Sequence, residues 1–96
     1  MRARPVRLLR RAESHVTKAF DWYESKRPGL GADFLAAFER FLRRIAGNPG
    51  VCPVYRDNVR RLFMKSFSYL IFYKVTDAES IVVLVIHANR DPRYWP

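Results

Sequence analysis

The run Ile81-Val82-Val83-Leu84-Val85-Ile86 is apolar at every position and mostly β-branched, and it constrains the fold more than any other segment of this chain. Branched side chains favour extended backbone. With no polar residue at alternate positions, neither face of the strand can look into water, so the run predicts a strand buried on both faces. The residues that follow without a break, His87-Ala88-Asn89-Arg90-Asp91-Pro92-Arg93-Tyr94-Trp95, are then carried at the open end of a sheet. Loops presented by a rigid strand are where small folds concentrate their function.

The rest of the chain supplies what such a strand needs. Val6, Leu8 and Leu9, set among Arg2, Arg4, Arg7, Arg10 and Arg11, predict a short basic strand. From Ala12 the apolar positions Ala12, Val16, Ala19, Phe20 and Tyr23 recur with a period near 3.6, one face of a helix that Pro28-Gly29 ends. Phe34, Leu35, Phe38, Phe41, Leu42 and Ile45 repeat the pattern up to Gly47-Asn48-Pro49-Gly50. The two helices form an antiparallel hairpin. Beyond them, Val59 to Met64, Tyr69 to Val75 and Ile81 to Ile86 read as strands joined by short connections, hence antiparallel. The expected architecture is a single α+β domain over 1–96: an N-terminal strand and a helical hairpin packed on one face of a mainly antiparallel sheet of about four strands.

Composition agrees and excludes several classes. The 96 residues are 49% hydrophobic and 15% aromatic, enough for a core. A domain this small still buries only about 60 to 70% of its unfolded surface, so a permanent partner would add stability. Lone Cys52 can form no internal disulfide and no C-x-x-C pair suggests zinc, which fits a reducing cytoplasm, with no metal or cofactor implied. The longest apolar run is six residues, far below the roughly 20 needed to span a bilayer. Eighteen Lys and Arg against nine Asp and Glu leave a net charge of +9. Most of the cations are arginine, which suits planar recognition of phosphate or carboxylate, and so a polyanion or an acidic protein.

A set of pieces in fixed order carries a family resemblance. They are Trp22-Tyr23-Glu24, Pro28-Gly29-Leu30-Gly31 with Phe34, Ile45 with Asn48-Pro49, Val59-Arg60-Arg61, Phe67-Ser68-Tyr69, Phe72-Tyr73-Lys74-Val75, and finally His87 with Arg90-Asp91-Pro92 and Tyr94-Trp95. Over nearly its full length the chain resembles the RelE/ParE superfamily, the toxins of bacterial toxin-antitoxin pairs. The resemblance implies a growth-inhibiting toxin neutralised by a small acidic antitoxin in a hetero-oligomer, reaching DNA only through that antitoxin. It also implies one of two targets. A ParE-like toxin binds DNA gyrase and cuts nothing, whereas a RelE-like toxin cleaves messenger RNA on the ribosome without a metal. A decayed toxin would keep antitoxin binding alone. Fold cannot choose among these; the site must.

Metal-free RNA cleavage needs a base for the 2′-hydroxyl, an acid for the leaving oxygen and cations for the developing phosphorane charge. Arg61, His87, Arg90 and Tyr94 are the candidates for that chemistry. Phe63 and Leu70, however, stand where the cleaving branch carries a lysine and an arginine, leaving a cationic cradle about half assembled. Loss of one such donor costs roughly 100 to 1,000-fold. The resemblance therefore favours the ParE-like reading, with Arg60, Arg61, Arg90, Arg93, Tyr94 and Trp95 as candidate target-binding residues. Antitoxin-binding positions are not apparent from the sequence.

Each candidate also has a purely structural reading. His87, following a buried strand, can serve by bonding backbone. Arg90-Asp91 can be a local ion-paired turn whose exit Pro92 sets. Tyr94 and Trp95 can close the edge of a core. Arg60 and Arg61, adjacent on a strand, face opposite sides and do not make one patch. Tyr69, Ile71, Tyr73 and Val75 share a face and read as core. The N-terminal arginines, with no aromatic ladder after them, read better as a charged edge strand than as a nucleic-acid footprint.

Overall fold

A computed structural model describes residues 4–96; Arg2, counted above in the basic cluster, lies outside the described residues. The chain runs β1 (Val6–Leu8), α1 (Arg10–Lys26), α2 (Leu30–Gly47), β2 (Val54–Arg56), β3 (Val59–Met64), β4 (Tyr69–Val75) and β5 (Ser80–His87). Short 3-10 turns cover Lys65–Phe67 and Pro92–Tyr94. The sheet has five strands in the order β1-β5-β4-β3-β2. Among the described residues β1 pairs with β5 in parallel, and the other pairs are antiparallel.

The fifth strand is the departure from the sequence reading. β2 is three residues long, alternates exposed and half-buried positions, and pairs with β3 through an irregular register. Such an edge element has too little apolar periodicity to announce itself. Its partner β3 supplies the ladder that makes Val54–Arg56 extended.

β5 is buried as its composition demands. Val82 and Val85 are 0% and 1% exposed on the face covered by the helices, while Val83, Leu84 and Ile86 turn to the other face. A register shift opposite Phe72 and Tyr73 leaves Val83 without a partner on β4, so Val83 and Leu84 both point away from the helices. On the helix face, Phe34 and Phe38 from α2 meet Tyr73, Ile71 and Met64. An aromatic cluster of Tyr23, Phe34, Phe67 and Tyr69, with ring centroids 5.0 to 6.3 Å apart, fastens the hairpin to the sheet. Two phenols are tied down by donating to carbonyls: Tyr23 to Phe67 at 3.2 Å and Tyr73 to Pro49 at 2.9 Å.

The helical hairpin is closed by one carboxylate. Glu24, late in α1, accepts from the backbone N–H of both Gly29 and Gly31 at 2.9 Å, satisfying donors that the start of α2 leaves open. Gly29 has φ of 91°, a conformation that favours glycine. Gly31 is needed for proximity, because a Cβ there would stand 2.8 Å from the Phe20 carbonyl oxygen and 2.9 Å from the Glu24 carboxylate. The substitution Gly31→Ala therefore forces the helices apart and is expected to cost on the order of 1 to 3 kcal/mol, the range for overpacking a tight contact. Urea denaturation measures it: an unchanged midpoint would show that the hairpin has slack.

Candidate functional site

The C-terminal run straddles the end of β5 and divides the sequence candidates between two surfaces. On the sheet face away from the helices, the Trp95 indole packs against Phe72 and Tyr55, with centroids 5.8 and 6.0 Å apart. The Arg61 guanidinium lies 4.8 Å from the Tyr55 ring centre and 5.6 Å from that of Trp95, within cation–π range. Beside this cluster Phe63 is about half exposed, at 52%. An exposed apolar side chain next to a cation and two aromatic rings is the composition of a protein contact surface.

The second surface lies at the edge of β5 beside α1. Here a cleft of about 740 Å³ is lined by Arg11, His15, Lys18 and Trp22 from the helix and by Tyr69, His87, Arg90 and Tyr94 from the sheet side. Arg11, His15, Lys18 and Trp22 follow one another at helical spacing, four, three and four residues apart, so they form a single stripe along α1. That stripe was legible as a pattern, yet it runs beside the apolar face that defined the helix. Only the position of β5 shows that it faces a cleft rather than bulk water.

The chemistry of the cleft is one-sided. Arg11, Lys18 and Arg90 contribute positive charge, and none of its described lining residues is acidic. His15 registers the imbalance: burial, then Arg11, Lys18 and Arg90, lower its pKa from the ordinary 6.5. Neutral His15 can then accept, through Nδ1, from the Val85 N–H at 3.4 Å, a long contact. His87 Nδ1 accepts from the Asn89 N–H at 3.1 Å, and its ring stands edge-on to Tyr69 at 5.3 Å. Arg90 lies over the Tyr94 ring at 4.6 Å.

The ion pair expected at Arg90-Asp91 is instead between Asp91 and Arg93, at 2.9 Å between Oδ2 and Nη2. Asp91 also accepts from the Arg93 backbone N–H at the start of the 3-10 turn. Arg93 is thus engaged locally, while Arg90 is left to the cleft. Arg60 points to the helix side, where it donates to the Cys52 carbonyl, and Arg61 points to the outer face. Arg61 therefore stands across the sheet from His87 and from the cleft that Arg90 and Tyr94 line. The structure brings His87, Arg90 and Tyr94 together and leaves Arg61 with Trp95.

The electrostatics of the cleft can be read directly. A histidine whose folded pKa is depressed contributes stability above its unfolded value near 6.5, and that contribution is lost as pH falls through the folded pKa. Followed by NMR, His15 should titrate below 6.5, and Arg90→Ala or Lys18→Ala should raise its midpoint. A midpoint at 6.5 that neither substitution moves would mean that the cations do not converge on the ring.

Comparison with known proteins places this geometry. The solved structure of a chromosomal ParDE toxin-antitoxin system from P. aeruginosa shares the fold, with a TM-score of 0.68 over 91% of this chain and 98% of the other at 14% identity. Curated proteins give no match. The family model described as the ParE toxin of the type II toxin-antitoxin system, parDE, matches residues 6–92. With nearly the whole described fold inside that match, this chain belongs to the ParE toxin family of type II toxin-antitoxin systems.

Proposed function

We propose that this protein inhibits DNA gyrase by binding it, cuts no nucleic acid itself, and is held inactive by a small acidic antitoxin. The observation that carries the reading is the division of the candidate residues by the sheet. A metal-free ribonuclease needs base, acid and cations converging on one phosphate, but Arg61 lies with Trp95 on the outer face while His87, Arg90 and Tyr94 sit on the α1 side. At the positions where a cleaving relative needs cations, Phe63 is half exposed and apolar, and Leu70 is buried at 5% exposure. What the outer face offers is therefore contact rather than catalysis. An antitoxin partner is in keeping with the +9 charge, which speeds encounter with an acidic chain, and with the ParDE assembly named for the similar structure.

Antitoxin-free protein tests this in a gyrase supercoiling assay run beside a translating extract. Supercoiling should be inhibited while messages stay intact; codon-positioned cleavage of the messages would overturn the reading. Arg61→Ala should weaken gyrase inhibition by about tenfold or more, as expected for an arginine at the centre of an aromatic contact. Arg61 is exposed, so an unchanged melting temperature would separate lost contact from lost fold.

A further inference from the structure

Two aromatic rings at the cleft beside α1 are left in water. Trp22 and Tyr94 are 56% and 58% exposed, two of the four large hydrophobic side chains so exposed among the described residues, and both line the cleft. Each ring carries a cation. Lys26 Nζ stands 4.8 Å from the Trp22 ring centre and the Arg90 guanidinium 4.6 Å from that of Tyr94, within cation–π range. The gyrase reading rests on the outer face and uses neither pair.

The rest of the cleft is positive and preformed. Arg11 Nε donates to the Val83 carbonyl at 3.0 Å, and His15 Nδ1 accepts from the Val85 N–H, so the stripe of α1 that lines the cleft is tied to β5. Arg11, Lys18 and Arg90 form no ion pair among the described residues. Along α1 the stripe from Arg11 to Trp22 runs about 17 Å at ~1.5 Å per residue. That is the length of roughly five nucleotides stacked at ~3.4 Å each.

The pairing of ring with cation selects the occupant. A nucleotide matches such a pair in both of its parts, with a flat base for the ring and a phosphate for the cation, whereas a carboxylate matches only the cation. A duplex keeps its base faces stacked on one another and presents phosphates alone; a single strand presents both. We propose that the cleft binds single-stranded nucleic acid, with bases stacked on Trp22 and Tyr94 and phosphates against Arg11, Lys18 and Arg90. Arg61 stands across the sheet, so the strand is held without the full set of cations that cutting it requires. This contact is direct, where the family resemblance implies that DNA is reached only through the antitoxin. It stands apart from the function proposed above, which concerns the other face.

The test uses the full chain free of antitoxin and a fluorescent oligodeoxythymidylate followed by anisotropy. Three probes accompany it: an abasic strand of equal charge, the thymidylate paired with its complement, and an oligoglutamate of equal charge. The thymidylate should bind, and should quench tryptophan fluorescence in the parent chain but not in Trp22→Ala. Loss of the bases or of the Trp22 ring should weaken binding about tenfold or more, the scale of a lost stack, and Trp22→Phe should recover most of it. The logarithm of affinity should fall against that of salt with a slope of about −2, for three phosphates of a single strand, and Lys18→Ala or Arg90→Ala should each remove about 0.7 of it. Arg43→Ala, exposed on α2 and outside the cleft, should leave the slope in place. Absence of binding would overturn the proposal, as would an abasic strand that binds equally, a duplex or oligoglutamate that binds more tightly, or a slope that Arg43→Ala lowers as much as Lys18→Ala. Gyrase does not enter the measurement. A chain that binds the strand and spares gyrase upholds this site and defeats the earlier reading.

Discussion

Burial of β5 on both faces is the constraint from which the rest of the structure follows. A strand with apolar side chains above and below needs a layer on each side, and here the layers are unequal. The helical hairpin covers one face with Phe34, Phe38 and Ala37, all nearly inaccessible. The other face is covered only by what the chain has left, chiefly Trp95 folded back on Phe72 and Tyr55. That economy leaves Phe63 in water. Exposed apolar surface on a protein this basic is tolerable because its charge resists self-association, and it is useful where another protein must be gripped.

The same strand is unequal along its length. Its first half is paired on both sides and its second half on one, because β1 is only three residues long. α1 compensates in part by lending Arg11 and His15 to the abandoned edge. Natural edges are commonly protected by charge, and this one is, but the cations are clustered in a cleft whose described lining residues include no carboxylate to balance them. The toxin thus has two surfaces of opposite character: an outer face where Phe63 stands half exposed beside an aromatic cluster, and a cationic slot beside α1. A protein that must be both active and neutralisable can use such a separation, since each partner then meets its own chemistry.

Much of this architecture was legible in residue order. Period 3.6 in the first half and the apolar runs in the second locate α1, α2, β3, β4 and β5 within a few residues of their bounds. Pro28-Gly29 marks the turn between the helices because Gly29 adopts a positive φ. β2 escaped because three residues at a sheet edge take their conformation from the neighbour rather than from their own pattern. The candidates Arg61, His87, Arg90 and Tyr94 could be named, but not grouped. Arg60 and Arg61 could be assigned to opposite faces, since that follows from the pleat alone. Which candidates share a surface depends on how the C-terminal run passes the end of β5, with Tyr94 on one side and Trp95 on the other.

By itself, then, the sequence determined the elements other than β2, the family and the excess of positive charge, because helix and strand periods, turn residues and formal charge are local properties of the chain. Only the tertiary structure decided where that charge is uncompensated. Arg11, His15, Lys18 and Trp22 are an unremarked polar stripe until β1 ends early and leaves Val85 and His87 beside them. Arg61 and Arg90 read as partners until a sheet stands between them. Both outcomes depend on contacts between residues some 30 to 75 positions apart in the chain, and such distances are set by packing around β5, which no local pattern encodes.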